Sequence, residues 1–229
     1  MIKFKNLLFR HAIEDNQKNI LSMIDRDQTK ILLDLGCDSG NWTSKISTVL
    51  GSNKNIGVDI EETCLNEAKN VLSPVKSDLN NALPFKSNSI DMVHSNQVIE
   101  HLIDVDLFCE EIYRILKPGG CLIISTENLS SWHNLFALFM GRQAFSQHIS
   151  SRVNLGNLMS LHYKKDLTRS WAHIKIFTFY GLKEFFSYYK FKNIQIIGAG
   201  YYPFWGRFSK IMAKLDPIHT HFITLKAFK

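Results

Sequence analysis

Residues 31–43, ILLDLGCDSGNWT, constrain the fold of this chain more than any other stretch. Ile31, Leu32 and Leu33 form a short continuous apolar run, the pattern of a strand buried on both faces of a parallel sheet. Asp34 follows, and Gly36 and Gly40 then supply the backbone freedom of a tight turn. Beyond the turn Trp42, Ile46, Val49 and Leu50 recur at i, i+4, i+7 and i+8, one apolar stripe of a helix. The carbonyl end of the strand and the amino end of the helix therefore face one crevice, the usual ligand position in open α/β sheets. A ligand with hydroxyls or a charge is expected there.

The rest of the chain repeats this rhythm. Residues 4–24 read as a lead helix with Phe4, Leu7, Leu8, Ile20, Leu21 and Ile24 on its buried side. Ile56, Gly57 and Val58 make a second strand that ends in Asp59, and residues 62–72 a helix through Leu65, Ala68 and Leu72. Val75 and Lys76 lead to Asp78 and a polar loop containing Pro84. Residues 90–95 are the next strand, and Val105, Phe108, Ile112 and Leu116 mark the next helix. Lys117, Pro118, Gly119 and Gly120 form a turn before a fifth strand at 121–125. Strands alternating with helices predict an α/β fold with a doubly wound, mostly parallel sheet.

Residues 129–172 break the pattern. They carry Trp132, Phe136, Phe139, Phe145 and Trp171, with His133, His148 and His162 inside and His173 at the border. Long excursions from a regular sheet are commonly lids or substrate-binding segments. Leu182, Phe185, Phe186 and Tyr189 then give another helical stripe, and residues 194–197 and 220–225 read as closing strands. The aromatic stretch GAGYYPFWGRF between those strands is expected at the rim of a pocket.

Composition narrows the class. A chain of 229 residues with 45% apolar content can bury one full core. Cys37, Cys64, Cys109 and Cys121 are scattered without metal-binding spacing, which suits a reduced, cytoplasmic protein. Lys3 and Lys5 precede an apolar stretch that Arg10, His11, Glu14 and Asp15 soon interrupt, so it does not read as a signal peptide. No apolar run approaches the roughly 18 residues of a spanning helix. Residues 1–128 hold 13 Lys and Arg against 18 Asp and Glu, whereas residues 129–229 hold 14 against 3. The acidic half suits a cationic ligand. The basic half suits an acidic or phosphate-bearing substrate or an anionic membrane face.

In order along the chain, DLGCDSG at 34–40, Asp59, Asp78, SIDMVHS followed by NQVIEHL, and LKPGGCLIIST resemble the motifs of the class I S-adenosylmethionine-dependent methyltransferases, in the branch acting on small molecules, lipids and sugars. The resemblance is close over residues 30–128 and looser beyond. It implies a seven-stranded Rossmann-like sheet with a helical lid: a cofactor-binding half at 1–128, a lid or substrate insertion at 129–180, and a closing helix and strands at 181–229. It also implies S-adenosylmethionine as cofactor, held by Asp34, Gly36, Cys37, Gly40, Asp59, Ile60, Asp78, Leu79, Ser95 and Asn96. Asp34 would serve the amino-acid moiety, directly or through water. Asp59 would accept from both ribose hydroxyls, and Asp78 with the backbone of Leu79 would read the adenine amino edge. Ser95 and Asn96 would lie beside the methyl group. One position departs from the motif: Asp38 stands where the family most often has a second glycine, and it either crowds the cofactor or points outward and assists its ammonium.

A sulfonium methyl is already activated, so catalysis needs alignment and, for a hydroxyl acceptor, removal of a proton. His101 is the first candidate for the base, with His133, His162, His173 and Tyr180 as alternatives from the lid. Some related quinone-pathway O-methyltransferases hold a metal through an acid three residues before the Glu of the Glu100-His101 pair; here that residue is Gln97, a weaker neutral ligand, so no metal is expected. The turn lacks the G-x-G-x-x-G spacing of a dinucleotide site, which argues against a nicotinamide enzyme. The basic residues form no single stripe and no RNA-binding module is appended, which argues against RNA, and DNA is not expected. The expected acceptor is a small or amphipathic molecule, methylated on oxygen, with peripheral membrane contact allowed by the basic, aromatic lid. A noncatalytic, cofactor-binding relative is the competing reading, and Asp38 is its support.

Overall fold

The computed structural model describes residues 2–157 and 172–229, residues 2–7 by their backbone alone, so His162 and Trp171 lie outside the described residues. Seven strands, β1 (Ile31–Leu35), β2 (Lys54–Asp59), β3 (Ser73–Lys76), β4 (Ile90–Asn96), β5 (Leu116–Glu127), β6 (Lys192–Ala199) and β7 (Phe222–Phe228), form one sheet in the order β3-β2-β1-β4-β5-β7-β6. The first five run parallel and β7 is antiparallel to both of its neighbours. Chain direction across the sheet reverses between β1 and β4, which opens the crevice of a doubly wound fold at the tip of β1.

Both faces of the sheet are covered, as the apolar run of β1 requires. Leu33 and Leu35 pack with Val93, Leu122, Ile124, Leu225 and helix α4 (Val105–Ile115) on one side. Leu32 packs on the other side with Met92, Ile123, Ile46 and Leu50 of α2 (Asn41–Leu50), and Ile20 of α1 (Ile2–Ser22). Full burial of each such side chain is worth about 1.5–3 kcal/mol. The buried stripe of α1 runs through Ala12, Asn16 and Ile20, and Asn16 is its unexpected polar member.

Several elements differ from the sequence expectation. Helix α3 (Glu62–Ala68) ends before Leu72, which is buried instead from the turn that follows. Strand β5 reaches back through the Lys117-Gly120 turn: Ile90 pairs with Leu116 and Met92 with Cys121, so residues 117–120 bulge outward. Gly119, at φ +77°, takes the left-handed conformation that this bulge requires. Helix α5 (Trp132–Phe139) opens the insertion, and a bridge between Asn128 and Phe177 closes it at the sheet. Helix α6 (Phe179–Tyr188) begins inside the 129–180 segment rather than after it. Helix α7 (Gly206–Leu215) occupies part of the stretch read as an aromatic rim; Pro203 and Gly206 mask its start, while residues 207–215 contain neither.

Candidate functional site

The register of the sheet brings the carboxyl ends of the central strands level. Leu35 lies beside Val58 and Ser95, Asp59 beside Lys76, and Asn96 beside Ser125. Gly36 (φ +78°) and Gly40 (φ +77°) shape the turn above them, and the Gly36 and Cys37 amides both donate to the Val58 carbonyl at 2.8 and 3.0 Å. A Cβ on Gly36 would overlap Val98 Cγ2, so glycine lets the turn pass close under the exit of β4.

Asp59 holds this turn from β2. Its Oδ2 accepts from the Asp38 amide at 2.9 Å and its Oδ1 from the Glu61 amide at 3.0 Å. Asp38 itself takes φ +48° with its side chain exposed, where its carboxylate meets the Cys64 thiol of α3. Ile60 is exposed beside Asp59, Leu79 is buried, and Asp78 Oδ1 accepts from the Asn80 amide at 2.9 Å. Asn80 Oδ1 in turn accepts from the Ile103 amide at 2.8 Å, which ties the loop after β3 to the segment after β4. A ribose and an adenine edge would find carboxylates at the tips of β2 and β3, and the residues present fit S-adenosylmethionine there.

Asp34 is placed differently from a residue that touches an ammonium directly. It is buried, with Oδ2 accepting from Thr43 Oγ1 and Oδ1 from His94 Nδ1 at 2.7 Å. Trp42 Nε1 donates to His94 Nε2 at 3.4 Å, which leaves Nδ1 as the donor toward Asp34. Asp34 therefore pins the start of α2 to β1 and β4, and shapes the turn through Thr43. Cys37 likewise faces inward, against Leu65, Ala68 and Leu72, and burial pushes its thiol up to about 12. Ser95 Oγ donates to the Leu35 carbonyl at 3.0 Å. Asn96 is half-buried, and its Oδ1 accepts from Asn16 of α1 at 3.4 Å. Asn16 also bonds Ser125 and Thr224 at 2.9 and 2.8 Å, so α1 reaches the carboxyl ends of the strands through one buried amide.

A second group lies where β4 and β5 meet the insertion. Glu100 and His101 occupy a short 3-10 turn (Ile99–His101) after β4, Glu127 ends β5, and His148 and His173 come from the insertion. His101 Nδ1 donates to the Ala172 carbonyl at 3.2 Å and its ring meets the edge of His173 at 4.8 Å between centroids. His173 Nδ1 donates to the Ser146 carbonyl at 2.9 Å and lies 3.5 Å from Glu127 Oε2. Burial opposes charge on both members of that pair, yet their mutual hydrogen bond and attraction hold Glu127 low and raise His173. Burial, then the charge of His173, lowers His101 below 6.5, so its imidazole is neutral at pH 7. Glu100 is pushed up to about 7 by burial; Thr126 donates to its Oε2 at 2.8 Å, and its Oε1 has no partner among the described residues. The ligand atoms of Glu100, His101 and His173 lie within 4.8 Å of one another, close enough for a cation to be considered. A cavity of about 280 Å³ opens beside them, lined by Ile103, His148, Ser150, Ser151 and Ala172.

The structure thus gathers His101 and His173, places Tyr180 on the exposed side of α6, and places His133 next to His221, 3.1 Å between ring nitrogens. Sequence reasoning missed Asn16 and Glu127, and noted His148 only as a histidine of the insertion. An acid at the very end of a strand, as in STEN at 125–128, was the available signal for Glu127.

Residues 33–124 match the family described as "Methyltransferase domain". Among characterised relatives, the demethylmenaquinone methyltransferase of Lactococcus lactis is 34% identical over 119 residues, covering 47% of each chain. The malonyl-[acyl-carrier protein] O-methyltransferase of a Marinomonas species is 30% identical over 154 residues, covering 62% of this chain and 55% of its own. The chain thus spans about half the length of these relatives. Of the solved structures, a possible histamine N-methyltransferase from Thermotoga maritima superposes with a TM-score of 0.64 at 16% identity, over 97% of this chain and 91% of that one. An S-adenosylmethionine-dependent methyltransferase from Listeria monocytogenes gives 0.65 at 17%, over 95% and 99%. At such identities the superpositions speak for the fold alone, and the domain match speaks for residues 33–124. The methyltransferase domain match at residues 33–124, with the superpositions, supports a class I S-adenosylmethionine-dependent methyltransferase.

Proposed function

We propose that the chain methylates a hydroxyl of a small-molecule, lipid-precursor or sugar-containing acceptor. The observation that carries this reading is the His101 imidazole, oriented through Nδ1 by the carbonyl of Ala172, a lining residue of the insertion cavity, so that Nε2 is left as a proton acceptor. Bound S-adenosylmethionine supplies an activated methyl group. The chain supplies position and proton management. Asp59 and Asp78 seat the nucleoside, and the turn at Gly36 brings the backbone close to it. His101 Nε2 would accept the hydroxyl proton of the acceptor, while bound S-adenosylmethionine would give up its methyl to that oxygen and leave as S-adenosylhomocysteine.

The raised His173 and the ionised Glu127 beneath His101 stabilise the arrangement without competing for that proton, because His173 already carries one. Two similarities support a small-molecule or lipid-type acceptor: one relative is named a demethylmenaquinone methyltransferase and another a malonyl-[acyl-carrier protein] O-methyltransferase, and neither name points to a nucleic acid. The competing noncatalytic reading rests on Asp38, whose side chain is exposed, and cofactor binding without turnover would favour it. The test is a methyl-transfer assay with labelled S-adenosylmethionine against a panel of hydroxylated lipids, quinols and sugars. Turnover that His101→Gln abolishes while cofactor binding persists supports the reading. Cofactor binding without transfer to any member, or transfer only to amines, refutes O-methylation.

A further inference from the structure

Two helices of the basic half pack the wrong way round for a globular protein. Helix α7 buries Ser209 and Ala213, its small residues, and turns Phe208, Ile211 and Leu215 outward at 51%, 53% and 75% exposure. Those three fall at i, i+3 and i+7, one continuous stripe. Helix α5 buries Asn134 and Ala137 and turns out Trp132, Phe136 and Phe139, with Met140 just past its end, at i, i+4, i+7 and i+8. Phe139 is 87% exposed, close to the limit for any side chain in a folded chain.

The two stripes are joined. Trp132 Nε1 donates to Tyr201 Oη at 2.6 Å and to Asp216 Oδ2 at 3.2 Å, just past the end of α7. The Tyr201 ring stacks on Phe204, and Phe204 meets Phe208 edge-on at 4.7 Å between centroids. With the half-exposed Phe204 and Trp205, the exposed apolar side chains amount to about five fully exposed ones, on the order of 1,000 Å² at ~200 Å² each. A typical monomer shows no apolar patch above roughly 300–600 Å².

The charges around the patch choose its occupant. Neither α5 nor α7 contains an acid, while Arg142, Arg207, Lys210 and Lys214 lie exposed at their flanks. Lys210 approaches Asp15 at 3.3 Å; Arg142, Arg207 and Lys214 form no ion pair among the described residues. A second copy docked through the same face would set these bases against themselves. A lipid surface with anionic headgroups takes the aromatic and aliphatic side chains below the headgroups and pairs with the bases at that level. We infer that the α5/α7 face is an interfacial surface that docks the protein reversibly on an anionic membrane. The inference is independent of the acceptor reading, since docking needs neither cofactor nor acceptor.

Co-sedimentation of the full chain with mixed phosphatidylcholine–phosphatidylglycerol vesicles, against pure phosphatidylcholine, tests it. The wild type is expected to pellet with the anionic vesicles and to be released as salt is raised. Phe139→Ser combined with Leu215→Ser should weaken binding at least tenfold with an unchanged melting temperature, because both positions are exposed. Arg207→Ala combined with Lys214→Ala should weaken it about fivefold for each charge removed. Equal pelleting by wild type and both double variants, or no preference for anionic vesicles, overturns the inference. So does a dimer in light scattering that Phe139→Ser dissociates, since the face would then be a subunit interface.

Discussion

Gly36→Ala should damage the protein at the point where the cofactor turn and the exit of β4 touch. Gly36 sits at φ +78°, and a left-handed non-glycine residue costs about 1–2 kcal/mol. The new methyl would also overlap Val98 Cγ2, and overpacking of this kind adds about 1–3 kcal/mol unless the neighbour moves. The Gly36 amide bond to Val58, at 2.8 Å, keeps the turn from retreating. The sum, about 2–5 kcal/mol, corresponds to a fall in melting temperature of roughly 5–20 °C for a domain of this size. Val98→Ala added to Gly36→Ala removes the overlap but leaves the backbone strain, so it should recover part of the loss and no more. Calorimetric melting of the three proteins, with S-adenosylhomocysteine affinity measured alongside, gives the comparison. A Gly36→Ala protein that melts with the wild type and binds S-adenosylhomocysteine equally would refute the packing argument for the turn.

Other expectations can be checked as directly. His101→Gln should lower kcat about 10²–10⁴-fold with cofactor affinity unchanged, and the rate of the wild type should fall at acid pH as His101 gains a proton below 6.5. Thermal stability should decline as pH rises from about 4.5 to about 9: Glu100 and His173 both have raised folded-state values, so each contributes fully below its unfolded value and loses that contribution as pH passes its folded one. Glu127→Gln should flatten the upper part of that curve, read by differential scanning calorimetry in matched buffers, and an unchanged curve would contradict the ion pair. Chelation should leave the rate intact; loss restored by a divalent cation would make Glu100, His101 and His173 a metal site instead.

The central sheet was legible because its strands are buried on both faces and end in recognisable turns. The apolar run at 31–33 and the acids at 34 and 59 mark β1 and β2 without any tertiary information. Helix α7 was not legible, because its large apolar residues face outward and its inward side is Ser209 and Ala213, so a stripe read as buried would assign it the wrong face. The hydrogen bonds of Asp34 were hidden for another reason: His94 and Thr43, its partners, lie on different elements, and only the register of β1 with β4 brings them together. Glu127 and His173 form their pair across 46 positions of chain, a distance at which sequence spacing carries no signal.

Titration calorimetry of the wild type and Asp59→Ala with S-adenosylmethionine and S-adenosylhomocysteine bears most directly on the site. Asp59 orders the glycine turn through the Asp38 and Glu61 amides, and it is the carboxylate proposed for the ribose. Micromolar binding by the wild type, lost in a variant that still melts cooperatively, is the result expected. No binding by the wild type, or equal binding by the two proteins, would contradict the cofactor site described for this fold.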